Sequence, residues 1–131
     1  MFLICAAMEG QFIAKYCQKL SENVVHGQNG RCLLWQGCTG QDGYGRMNVK
    51  VEDKWKNVLV HRLSYILQHK LLFVDISGME VSHLCHNKSC VEPSHLNLEN
   101  TEVNNSRKVC VHSGACSGHG TSPECMLNLK Q

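Results

Sequence analysis

Cysteine and histidine crowd into two stretches of this chain, and that crowding constrains the fold more than any hydrophobic pattern does. Residues 81–96 read VSHLCHNKSCVEPSHL and residues 110–125 read CVHSGACSGHGTSPEC, within a chain of 131 residues holding nine cysteines and eight histidines. A chain of this length suits one globular domain with a modest core, for which a covalent or metal staple is a real gain. The expected organisation is a single unit over 1–131: a helical segment over 1–30, a sheet and central site over 31–109, and a second loop and tail over 110–131. Which staple is used depends on compartment. The opening MFLICAAMEGQF has an apolar run with no basic residue before it and is closed by Glu9, a poor signal peptide. No stretch is long enough to span a membrane. The expected setting is therefore reducing and intracellular, the nucleus included, with no membrane partner. There, cysteine interleaved with histidine reads as zinc rather than disulfide.

Tetrahedral structural zinc takes four thiolate or imidazole ligands. Cys85, Cys90 and His95 supply three at C-x4-C-x4-H spacing and need a fourth. Cys32, at the start of a predicted sheet, is the first choice, because a ligand there clips the loop to the core; Cys38 is the fallback. Cys110, Cys116, His119 and Cys125 make a complete second set, with His112 as the alternative to His119. Cys5 and Cys17 read as small buried hydrophobes.

Around these clusters, Phe12, Tyr16, Cys17 and Leu20 predict an amphipathic helix over about 9–22, broken by HGQNG. From Cys32 the pattern predicts a short strand, a glycine-rich turn, two strands joined at Glu52-Asp53, and a helix beginning near His61. A further strand approaches His83, and LENTEVNNSRKV reads as a helix with Thr101 as N-cap. The tail from Cys110 has almost no periodicity and would have little reason to be ordered without metal.

The segment SHLCHNKSC, followed by PSHL and NNSRKVC, resembles the His-Cys box homing endonucleases, the zinc-stapled branch of the ββα-metal, HNH-like nucleases. The resemblance runs over roughly residues 31–125. It implies an α+β domain with a ββα-metal (His-Me finger) centre, a small antiparallel sheet and two structural zincs. It implies a Mg2+-dependent endonuclease acting on double-stranded DNA, with His83 as general base and Asn104 holding the Mg2+, Asn105 being the neighbouring alternative. The first zinc site maps to Cys32, Cys85, Cys90 and His95, and the second to Cys110, Cys116, His119 and Cys125. The family's arginine that contacts the scissile phosphate has Lys54 as its nearest match here, with Arg46 or Lys56 as substitutes. The chain departs from the pattern in the second zinc loop, where Cys116 and His119 are separated by two residues rather than one.

These residue types suit the chemistry. Phosphodiester hydrolysis needs an activated water and neutralised charge on the phosphate and leaving oxygen. A neutral histidine can accept the proton, and a hard cation satisfied by few protein oxygens can carry the charge. Overall charge does not advertise DNA: the formal +2 falls to about zero once two zincs bind six thiolates. Residues 46–70, however, hold six cations against two carboxylates. Among them Arg46, Lys50, Lys54 and Lys56 are candidate DNA contacts on a two-stranded ribbon. Trp35 and Trp55 read as core or hairpin packing, and the shortage of aromatics disfavours single-stranded nucleic acid. A competing reading is a zinc-stabilised DNA- or protein-binding module without cleavage. Only MLNLKQ follows Cys125, so the family's exchanged tail has no counterpart here. Two assemblies are then open: a weak homodimer through Phe2, Leu3, Ile4 and Phe12, or a monomer that nicks.

Overall fold

The computed structural model describes residues 2–129, with side-chain surroundings from residue 10 to residue 128. The chain begins with helix α1 (Phe2–Ser21), whose Phe12, Tyr16 and Leu20 recur every four residues and so share one face. Tyr16 is buried, and the Phe12 ring lies 4.6 Å from it and 6.4 Å from Phe73 between centroids. Phe12 is thus committed to the core and is not a free dimer contact, while the side chains of Phe2, Leu3, Ile4 and Cys5 lie outside those described. Cys17, expected to be buried, is exposed, because the stripe set by Tyr16 and Leu20 turns it outward.

Strand β1 (Val24–His26) pairs antiparallel with β2 (Leu33–Trp35). The HGQNG segment expected to break the helix instead forms the loop of this hairpin, since α1 has already ended at Ser21. Strands β3 (Arg46–Val51) and β4 (Lys54–Leu59) form the predicted hairpin, turning on Glu52 and Asp53 at φ of 51° and 62°. Two consecutive left-handed residues match the right-handed twist of the flanking strands. Just before β3, a Cβ on Gly45 would sit 2.5 Å from both Trp35 and Val60, so only glycine lets the Trp35 indole lie flat there.

The hairpin runs straight into α2 (Val60–His69), which buries Val60, Leu63, Ile66 and Leu67 as one stripe and ends at Lys70 in the left-handed region, φ 54°. Strand β5 (Glu80–His83) pairs antiparallel with β6 (Leu96–Glu99), joined by a loop that closes in a 3-10 turn at Pro93–His95. Helix α3 (Thr101–Ser113) then packs back on β5. Its N-cap is Asn100, whose side chain accepts from the Val103 amide at 2.8 Å, rather than Thr101 as expected. Thr101 instead donates its hydroxyl to Glu80 at 3.0 Å.

Among the described residues the architecture is α+β, with three helices and three two-stranded antiparallel sheets. Residues from α1, α2 and all three hairpins meet in one core, including Tyr16, Trp35, Val49, Leu63, Ile76 and Val81. Each such side chain contributes roughly 1.5–3 kcal/mol by leaving water. A separate small cluster of Cys32, Cys85 and Cys90 sits beneath Leu34 and Met126. No helix among the described residues is long and apolar enough to cross a membrane.

Candidate active site and metal centres

The first cluster brings Cys32, Cys85, Cys90 and His95 together, all buried, with their ligand atoms within 4.8 Å of one another. Backbone pairing places them: Val91 donates to Leu33 at 2.7 Å and Trp35 to Ser89 at 2.8 Å, stitching the loop after β5 onto β2. His95 Nδ1 lies 3.5 Å from the sulfurs of both Cys32 and Cys90. That is the edge length of a tetrahedron with zinc–sulfur and zinc–nitrogen bonds of about 2.3 and 2.0 Å, so the contacts fit coordination of one zinc. Asn87 and Asn29 donate side-chain N–H groups to the Cys32 sulfur at 3.0 and 3.3 Å, outer contacts that orient it within the cluster. The Cys90 thiol is pushed up by its hydrogen bond with Cys85 and by burial. Four crowded thiol and imidazole groups of this kind are held best by a cation. Cys38, the fallback ligand, is exposed and stands apart from the cluster.

In the second cluster Cys110, Cys116, His119 and Cys125 likewise lie within 4.8 Å of one another, Cys110 buried and the rest half-buried. His119 Nε2 is 3.4 Å from the Cys110 sulfur and 3.5 Å from that of Cys125. The unexpected spacing of Cys116 and His119 therefore still closes a tetrahedral set, and His112 is not part of it. The tautomer follows from proton counting. Ser106 Oγ donates its one proton to the Val103 carbonyl at 2.6 Å, so at 2.8 Å it accepts from His119 Nδ1–H, leaving Nε2 bare toward the metal position.

Apart from the ligands of both clusters lies an open cleft of about 730 Å3, lined by Tyr44, His61, Glu80, His83, Asn104 and Lys88 among others. His83 ends β5, and its Nε2 is 3.0 Å from the Cys90 carbonyl oxygen. A carbonyl only accepts, so Nε2 carries the hydrogen and Nδ1 is the free lone pair. Burial and the neighbouring His61, opposed by that hydrogen bond, lower the His83 pKa to about 3, so the ring is neutral near pH 7. The His61 ring lies 4.4 Å from that of His83, tilted by 39°, and Tyr44 stands 5.8 Å away, nearly parallel. His61 is itself buried, and burial followed by the charge of Arg62 lowers it to about 4. Asn104, on the first turns of α3, reaches the same cleft through contacts with Ser82 and Glu80. Asn105 also lines it.

A family model described as the zinc-binding loop region of homing endonuclease matches residues 31–131. The chain belongs to this homing endonuclease family. No curated protein and no solved structure matches the chain at significance. Membership in the homing endonuclease family supports a nuclease-type function, and the two four-ligand Cys/His clusters fit two zinc sites.

The basic residues divide differently from the sequence expectation. Alternation along the β3–β4 register puts Arg46 and Lys50 on one face with Asn48, Trp55 and Asn57, and Lys54 and Lys56 on the other. Lys54 is exposed beside the turn and does not line the cleft, where the cations are Arg62, Lys88, Arg107 and Lys108. Arg62 is engaged by the Met79 and Ile76 carbonyls at 2.7 and 3.2 Å. Trp35 is core, as expected, but Trp55 is 62% exposed with Lys50 Nζ 6.0 Å from its ring, so it packs into nothing larger than its own hairpin.

Sequence reasoning missed His61, Tyr44 and the Glu99–Arg107 pair. That pair is bidentate at 2.7 and 2.8 Å, with both side chains 2% exposed. Burial pushes Glu99 up, but hydrogen bonds from Arg107, Ser82 and Asn97 outweigh it and hold the carboxyl below its usual range. Arg107 also donates to the Cys125 sulfur at 3.4 Å, so it joins the second cluster to the β5–β6 hairpin. His61 could have been noticed as a histidine at the start of a helix otherwise apolar on that face. Nothing in the spacing of Glu99 and Arg107 signals a buried pair.

Proposed function

We propose that this chain is a Mg2+-dependent endonuclease that hydrolyses phosphodiester bonds of double-stranded DNA, leaving 5′-phosphate and 3′-hydroxyl ends. The observation that carries the reading is His83: its Nε2–H is fixed on the Cys90 carbonyl, so an unprotonated Nδ1 is left in a cleft that also holds Asn104. That is the state a general base requires. His83 Nδ1 takes the proton of the attacking water, and the Cys90 hydrogen bond steadies the imidazolium that results. The donor chemistry near Asn104 fits a hard cation, since the cleft offers amide and carboxylate oxygens there and the sulfurs are used elsewhere. When bound, Mg2+ supplies charge neutralisation at the phosphate and the leaving oxygen. Asn104 holds the cation, and the zinc clusters fix the hairpin and helix that carry the two groups. Arg46 and Lys50 meet the DNA backbone along one face of the β3–β4 ribbon, while Lys54 and Lys56, on its other face and outside the cleft, leave the phosphate contact that the family pattern gives to Lys54 to a cation of the cleft such as Lys88 or Lys108. One such centre cuts one strand, so the expected product from supercoiled plasmid is the nicked circle.

His83→Ala tests this. It should keep two zincs per chain and its affinity for a DNA duplex, yet lose on the order of 10²- to 10⁴-fold in plasmid cleavage with Mg2+ present. Wild type should be inactive when Mg2+ is left out. A variant that cleaves like its parent, or that loses zinc, removes His83 from the role of base. A wild-type protein that binds DNA and never cleaves it would mark a binding module instead.

A further inference from the structure

We propose that Glu80 is a second protein ligand of the divalent cation in the cleft, sharing it with Asn104; the inference rests on the reading of Asn104 given above. Proton bookkeeping around Ser82 leads to it. Glu80 and Ser82 lie on the same face of β5, and the Ser82 hydroxyl is within hydrogen-bonding reach of two acceptors at once. One is Glu99 Oε2, and the other is Asn104 Oδ1 at 2.6 Å. A hydroxyl has one proton. Glu99 is ionised, clamped by Arg107 on both oxygens, and can only accept, so the Ser82 proton belongs to Glu99.

The atom of Asn104 that faces Ser82 must then be a donor, which requires the carboxamide turned by 180°, an exchange of nearly isosteric atoms. The chain Asn104 Nδ2–H to Ser82 Oγ–H to Glu99 is then satisfied throughout. Its consequence appears at the other end of the amide. Asn104 Oδ1 now faces Glu80 Oε1, the atom with which the amide makes its remaining hydrogen bond when it is not turned. Glu80 Oε2 is already occupied by the Thr101 hydroxyl at 3.0 Å. Two oxygens, one of them anionic, therefore confront each other with no proton between them. Keeping the amide unturned only moves the fault, leaving either Ser82 against Asn104 or Ser82 against the buried Glu99 carboxylate without a proton. With Glu80 ionised, every arrangement leaves one oxygen pair without a proton, and a cation between Glu80 and Asn104 removes the conflict. A hard divalent ion with two protein oxygens, completed by water and phosphate, suits that position. Glu80 stands three residues before His83 on the same strand and lines the same cleft, so the ion and the base open onto one cavity.

An anionic ligand predicts cation binding in the absence of DNA. The zinc-loaded, DNA-free protein is titrated with Mn2+ by calorimetry, for wild type, Glu80→Gln and Asn104→Ala, each checked for two zincs per chain. Glu80→Gln keeps the shape and should weaken Mn2+ binding by roughly tenfold or more, as removal of a charged ligand does. Asn104→Ala should weaken it as well. Loss in Asn104→Ala with none in Glu80→Gln overturns the role of Glu80 and leaves Asn104 standing. Loss in Glu80→Gln alone overturns the sharing and the Asn104 assignment together. A wild-type protein that binds no Mn2+ without DNA also overturns the proposal. Independently of either variant, Mn2+ should broaden the amide resonances of Glu80 and Asn104 before all others, and broadening centred elsewhere in the chain counts against it.

Discussion

The two zinc clusters hold the same four-ligand chemistry in different mechanical positions. In the first, Cys32 meets His95 across 63 residues of chain, and its ligands come from the residue before β2, the loop after β5 and the turn before β6. All four are buried, and the sulfurs form a core of their own. In the second, every ligand falls within residues 110–125, and three of the four are half-exposed. A cross-link over a long loop removes more freedom from the unfolded chain than one over a short loop. The first cluster thus acts as part of the global core, whereas the second orders a local segment and passes its position on through Arg107.

The largest effect should come from breaking the first. Structural zinc contributes on the order of 10–16 kcal/mol to the folding of small domains, as much as the whole stability of a typical one, about 5–15 kcal/mol. Cys90→Ser leaves two thiols and an imidazole in a buried site with one ligand missing. Its amide spectrum should collapse across α2, β3 and β4 as well as the loop. Retained dispersion there would mean that the apolar core alone carries the fold.

Cys116→Ser should do less. One zinc per chain should be lost, amide exchange should quicken over residues 114–128, and the β3–β4 hairpin should stay protected. Cleavage should nonetheless fall, because Cys125 no longer steadies Arg107, and with it Glu99 and Ser82 beneath Asn104. Fast exchange spreading into α2 would erase the difference between the two clusters, and undiminished cleavage would break the connection through Arg107.

How far each region could be read from sequence follows the same division. Ligands announce themselves by type and spacing, so the closed set at Cys110 to Cys125 and the open set at Cys85 to His95 were both legible, and Cys32 followed from its place at the sheet. The β3–β4 hairpin was legible because Glu52-Asp53 separates two apolar alternations. The strands β1 and β6 were not: at three and four residues they are too short for periodicity and exist because β2 and β5 pair with them. The N-cap was misplaced by one residue because Asn100 and Thr101 are both good caps, and the choice was made by Glu80, which takes the Thr101 hydroxyl. The cage of Tyr44 and His61 around His83 arises from three separate elements, a coincidence in space that no local pattern encodes.

The smallest effect expected tests the local character of the second cluster without touching a ligand. Ser106 contributes one hydroxyl, whose proton goes to the Val103 carbonyl and whose lone pair holds His119 Nδ1–H. In Ser106→Ala the His119 ring keeps its place but loses the partner that fixes its tautomer, and the coordinating Nε2 is bare only part of the time. Losing such a supporting hydrogen bond typically costs roughly 10- to 100-fold in metal affinity. Competition with a chromophoric chelator should therefore release one zinc earlier than in wild type and leave the other unchanged. Ser106→Thr, which restores a hydroxyl, should recover the wild-type curve. If both zincs leave earlier, the clusters are coupled more tightly than their geometry implies; if neither does, the histidine is oriented by the loop backbone and the hydroxyl is incidental.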